Sequence, residues 1–143
     1  LEETGMGVQK EIDCVALARK MDMFTITYVA NPEEAKKMAE AGADVIIAHV
    51  GCTVGGSIGV STAADSLDLA AQRTQAIIDG AKSVRDDVIY LSHGGPIATP
   101  ADAAYINEKT DTVGFVGASS IERLAVETAI TNLTKEFKSI PVK

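Results

Sequence analysis

The feature that most constrains this chain is a fourfold alternation of strand-like and helix-like segments. Phe24 to Ala30, Asp44 to Val50, Asp87 to Ser92 and Thr112 to Val116 are rich in β-branched and apolar residues, the composition of strands. The segments around them carry helical signals. Residues 8–22 place Val8, Ile12, Val15, Ala16 and Arg19 on one face. Asn31-Pro32-Glu33-Glu34 offers an N-cap, a proline at the first helical position and two acids in the first turn, and Gly42 ends that helix near Ala41. Further helices are expected from about Asp65 to Val84, from near Pro100 with Thr99 as N-cap, and up to about Phe137. Strand, helix and strand in succession require parallel pairing through right-handed crossovers, so the fold class is α/β. The continuous apolar run at 44–50 suggests a strand covered on both faces.

With 143 residues the chain reads as a single domain, 1–143. Four strand–helix units are half of a (β/α)8 barrel, which takes about 250 residues. The chain also begins with Leu1 instead of Met, and a fragment is expected. An apolar content of 46% excludes a disordered chain. A net charge of −7 argues against a nucleic-acid or anionic-membrane partner, and no apolar run approaches the roughly 20 residues of a membrane helix. Cys14 and Cys52 lack metal-ligand spacing and are expected as free thiols in a reducing, cytoplasmic compartment.

In parallel α/β folds the chemistry gathers at the carboxyl ends of the strands. Both histidines fall there: His49 at the end of the second strand and His93 just past the end of the third. Asp-Val-Ile precedes each of them, with the second histidine one residue further along. An imidazole can transfer protons near neutral pH or ligate a divalent metal. His93 precedes Gly94-Gly95, where backbone can come close to a ligand; the other reading is a neutral side chain bonded to a neighbouring loop. His49, inside the end of a buried strand, reads equally as a core residue or as part of a site.

Glu3, beside Glu2, is a catalytic carboxylate if the opening segment follows an upstream strand, and otherwise half of a solvated charge pair. Three loops suit an anion. They are Gly94-Gly95-Pro96, then Gly117-Ala118-Ser119-Ser120 opening directly into a helix, and a flexible 53–59 loop with Gly55, Gly56 and Ser57 that could serve as a lid. The plain alternative is tight turns needing positive φ. Arg123, next to Glu122, can hold a carboxylate bidentately or form an ordinary ion pair. Asn31 and Cys52 share the same rim. Glu33, Glu34, Lys36 and Lys37 read as a solvated helix face, and Met6, Met21, Met23 and Met38 as packing filler.

Several stretches resemble the phosphoenolpyruvate hydrolase-like TIM-barrel family. They are Leu1-Glu2-Glu3-Thr4-Gly5-Met6-Gly7, Tyr28 to Ala35, Met38 to Asp44, Ala48 to Gly51 running into Gly55 to Gly59, Ser92 to Ile97, Gly114 to Leu124 and Glu127 to Ile130. The likeness implies the C-terminal half of a (β/α)8 barrel, strands five to eight, with the opening segment as the loop after strand four. It implies a small phosphorylated or carboxylated substrate, with phosphoenolpyruvate hydrolysis as the named case, and leaves room for a divalent metal such as Mg2+. An exposed sheet edge and half a barrel core imply a homo-oligomer or a partner supplying the other half. Because the family includes a plant virus-resistance protein, the alternative is a ligand-binding or signalling barrel without catalysis.

Overall fold

The computed structural model describes residues 2–5, 7–60 and 66–141. A 3-10 turn, Glu2–Thr4, precedes α1 (Gln9–Lys20), β1 (Ile26–Val29), α2 (Pro32–Ala41), β2 (Val45–His49) and α3 (Leu67–Lys82). Then come β3 (Ile89–His93), α4 (Pro100–Lys109), β4 (Gly114–Phe115), a π-helical turn over Ser119–Arg123 and α5 (Leu124–Lys138). The four strands form one sheet in the order β1-β2-β3-β4, every pair parallel. Four consecutive βα units in one parallel sheet are part of a (β/α)8 barrel. Met6 and the expected helix start at Asp65 lie outside the described residues.

Local chemistry explains the best-defined element. Asn31 caps α2 by accepting the Glu34 N–H at 2.9 Å, and Glu34 in return accepts the Ala30 N–H at 2.8 Å. Glu34 therefore has a structural bond beyond the solvated face expected of it. Gly42 closes the helix in the left-handed conformation, φ 102°. Thr99 and Asp102 form a capping box at the start of α4.

Alternation along the strands divides the sheet into two faces. Thr27, Val29, Ile46, Ala48, Tyr90 and Ser92 are buried. Most of them pack with Ala35, Met38 and Ala39 of α2 and with Ile77, Ile78 and Ala81 of α3. A second cluster joins Val50, Ala70, Ala71, Ile97, Ala103 and Ile106 beneath α4. On the opposite face Val45 and Ile47 of β2 are buried, but Ile26 (60% exposed), Tyr28 (44%) and Ile89 (45%) are not. β2 is thus covered on both faces along nearly its whole length, whereas on β3, the other inner strand, that face passes from exposed Ile89 through half-buried Leu91 to buried His93.

Other expectations change. Met38 is fully buried, whereas Met21 and Met23 are exposed and fill no core gap. β4 is reduced to two residues, although the Val113 and Val116 N–H groups continue its bonding to β3 at 2.9 Å each. The 117–120 loop, expected to open directly into the last helix, instead runs into a π turn that already includes Ser119 and Ser120, and α5 buries none of its residues.

The amino ends of the strands are fastened by polar side chains. Asp44 accepts the Thr25 N–H (2.8 Å) and hydroxyl (3.0 Å), and its own N–H donates to the Thr25 hydroxyl oxygen at 3.1 Å. Those bonds to Thr25 hold the Asp44 carboxyl below the ordinary carboxylate range, helped by Arg19 and Arg85 and opposed by partial burial. Arg85 donates to the carbonyls of Ala39 and Ala43. This end is built for stability and leaves the carboxyl end of the sheet for chemistry.

Candidate functional site

β2 and β3 run in a register that sets His49 directly beside His93. The extra residue that separates the two Asp-Val-Ile echoes is taken up before the strand, since Val45, not Ile46, pairs with Ile89. His93 is the last residue of β3 and not a loop residue beyond it. Burial also differs from the sequence expectation: His93 is only 8% exposed, while His49 is half-buried.

The ring centroids lie 5.0 Å apart. Tyr28 of β1 sits edge-on to both, 5.8 Å from His49 and 5.1 Å from His93. Phe115 stacks on His93 at 6.5 Å. Tyr28 was not singled out from sequence. The signal was available, because Tyr28 occupies the bare-face side of its strand and lies next to the strand end.

Each imidazole has one nitrogen committed to backbone. His93 Nδ1 is 2.7 Å from the Val116 carbonyl oxygen, which can only accept, so Nδ1 carries a proton and in the neutral ring Nε2 presents a lone pair. His49 Nδ1 accepts the Gly51 N–H at 3.3 Å, so in the neutral ring Nε2 carries the proton. Neighbouring rings therefore present one acceptor and one donor. Burial, then the neighbouring His93, pushes His49 below the ordinary imidazole range and keeps it neutral.

The loops behind the histidines are bonded to each other. Gly95 N–H donates to Gly51 O at 2.7 Å, Val54 N–H to Gly95 O at 3.1 Å, and Val50 N–H to His93 O at 3.1 Å. Gly51, Gly94 and Gly95 all have positive φ (125°, 81° and 56°), and a Cβ on Gly94 would run into Gly51 O. These glycines allow close approach of two loops, and the Gly95 N–H is already used.

A second cluster joins the 53–59 loop to the last helix. Glu127 of α5 accepts the Ser57 N–H with both oxygens at 3.3 Å, and also the Ser57 hydroxyl. Arg123 donates to Gly55 O at 2.8 Å and Thr53 O at 3.5 Å and pairs with Glu127 at 3.4 Å. The bond from Ser57, ahead of the Arg123 charge, holds the Glu127 carboxyl below its ordinary range. Gly55 and Gly56 adopt positive φ (84° and 76°), and a Cβ on Gly56 would strike both Arg123 and Glu127. The loop expected to be a flexible lid is fastened. Glu127 was missed as a site residue, although its i+4 spacing from Arg123 was legible.

The remaining candidates take no part in either set of side-chain bonds. Glu3 is exposed on the opening turn and shares no hydrogen bond with either histidine. Asn31 is occupied as a cap, and Cys52 is an exposed free thiol. Gly117 leaves room for the Ile121 side chain. Ser119 and Ser120 begin the π turn, where N–H groups have no partner within the helix. The Ser120 hydroxyl is buried without a hydrogen-bond partner and lines a pocket of about 440 Å3 against α4 with Thr99, Ala103 and Phe115.

Among the described residues no group of three or more His, Cys, Asp or Glu side chains is placed to hold a metal. Two imidazoles without a carboxylate do not fit Mg2+, which takes oxygen ligands. No helix among those residues is long and apolar enough to cross a membrane.

The family profile described as phosphoenolpyruvate hydrolase-like matches residues 1–140. Two tomato (Solanum lycopersicum) proteins, the ToMV susceptible protein tm-1(GCR26) and the ToMV resistance protein Tm-1(GCR237), are each 49% identical over 144 aligned residues. The alignments cover all of this chain and 19% of each relative, so the chain spans about a fifth of their length. Among solved structures, the N-acetylmannosamine-6-phosphate 2-epimerase from Clostridium perfringens superposes with a TM-score of 0.51 at 16% identity. That match covers 91% of this chain and 48% of the epimerase, and it supports the barrel fold alone.

Proposed function

The chain belongs to the phosphoenolpyruvate hydrolase-like family, and we propose that it performs acid–base chemistry on a small metabolite carrying a phosphate or carboxylate group. The observation that carries this reading is the pair of adjacent strand-end imidazoles with opposite protons presented, Nε2 of His93 bare and Nε2 of His49 protonated. One ring offers a base and the other a neutral hydrogen-bond donor before any substrate arrives.

Phosphoenolpyruvate hydrolysis illustrates the fit. His93 Nε2 takes a proton from the water that attacks phosphorus, and the bond between phosphorus and the enol oxygen breaks. His49 Nε2–H, on a neutral ring, donates a hydrogen bond to the enolate oxygen as charge develops there, and the proton taken by His93 is delivered to the enolate carbon, giving phosphate and pyruvate for one water consumed. That transfer returns His93 to its starting form and leaves His49 neutral throughout. The substrate's anionic groups go to the rim donors: Gly55, Gly56, Ser57, Gly94, Gly117, Ser119, Ser120 and Arg123. Tyr28 borders both rings and limits the space beside them.

The test is phosphate release from phosphoenolpyruvate, compared with His93→Gln and His49→Gln. Each substitution should lower kcat by about 10²–10⁴-fold, the usual scale of a positioned acid or base. Equal turnover in wild type and both variants would overturn the assignment. A second reading is ligand binding without turnover, favoured by the virus-resistance name of one relative and, among the described residues, by the lack of a carboxylate bonded to either ring. It predicts saturable anion binding that survives loss of both histidines.

A further inference from the structure

We propose that the Glu127 carboxylate is an internal stand-in for the ligand's anionic group, occupying the Ser57–Arg123 cradle until a small phosphate or carboxylate ligand displaces it. This rests on the reading of that loop as an anion contact. A backbone N–H, a serine hydroxyl and a guanidinium converge on one group of negative charge. Such a donor set is what recognises a phosphate or carboxylate. The group it holds is supplied by the chain itself.

Three further features fit displacement. Arg123 is anchored independently of Glu127 by the carbonyls of Gly55 and Thr53, so it keeps its place when the glutamate leaves. The Glu127 side chain is 27% exposed against 16% for Arg123, so the carboxylate has the freer path to solvent. A pocket of about 270 Å3, lined by Gly56, Ser57, Glu127, Thr128, Thr131 and Asn132, opens beside Glu127 and Ser57 and gives the displaced side chain room. Gly56 has φ 76°, a conformation strained for any L side chain, and a Cβ there would displace the ends of both charged side chains. The cradle is thus closed by its own carboxylate, and apparent ligand affinity is reduced by the fraction of time it is closed.

The experiment is a calorimetric titration of the full chain with inorganic phosphate, and separately with acetate, for wild type, Glu127→Gln and Arg123→Gln. Glu127→Gln should bind at least about tenfold more tightly than wild type, as expected if the cradle is open a tenth of the time or less. Arg123→Gln should lose binding, and the better of the two anions identifies which group the cradle serves. Wild type and Glu127→Gln binding equally, with Arg123→Gln weakened, would overturn displacement while the anion site stands. Absence of binding in wild type and Glu127→Gln alike would overturn both. If Glu127→Gln does not fold, the wild-type Ser57 amide resonance decides. It must shift as the anion saturates, and an unmoved resonance in a saturated sample overturns the proposal.

Discussion

Two backbone hydrogen bonds determine what each histidine can do: the partner of His49, Gly51, is two residues along the chain, whereas that of His93 is remote in sequence. Their place at strand ends was readable from the alternation of segments. The partner of His93, the Val116 carbonyl, comes from the next strand, 23 positions away, and only parallel pairing brings it there. The depressed His49 titration has a measurable consequence. The folded state resists a proton that the unfolded chain accepts near the ordinary imidazole value of about 6.5. As pH falls through that value toward the lower folded one, the unfolded state binds more protons and stability is lost. Urea unfolding from pH 7.5 down to 5.5 should show this decline, with His93 and Tyr28 the groups facing the ring. His49→Phe should flatten it, and an identical pH profile in the variant would disprove the assignment.

At the scale of elements, what was legible was what is local. α2 begins at Pro32 and ends at Ala41, as its cap and glycine imply. Asn31→Ala should cost about 0.5–2 kcal/mol, because the Glu34 N–H loses its acceptor. A shift in the urea midpoint measures it, and an unchanged midpoint would show that Glu34 alone secures the turn. The π turn at Ser119–Arg123 was not legible. It depends on the Ile121 side chain folding against Gly117 and on Arg123 reaching back to the 53–59 loop, contacts that no local propensity encodes. Likewise β4 shrinks to two residues because pairing with β3, not its own composition, sets its length.

At the scale of the whole molecule, the exposed apolar side chains among the described residues include two sets that share a face. Ile26, Tyr28 and Ile89 lie on the bare sheet face, and Val126, Ile130, Leu133 and Phe137 form a stripe along α5 at spacings of four, three and four. Exposed surface of this kind marks an interface. Light scattering on this chain should give a mass of at least twice the 14.9 kDa of one copy, and Ile26→Asp with Ile89→Asp should reduce it. A monodisperse wild-type monomer would overturn the expectation. The bonds between the Gly51 and Gly95 loops carry a different implication, one for protein engineering. Neither loop has a conformation of its own to export, because each supplies the other's hydrogen-bond partners and the space in which its glycines sit. A chimera with a relative must exchange residues 50–54 and 93–97 as a single cassette. Swapping either one would transplant half of a joint.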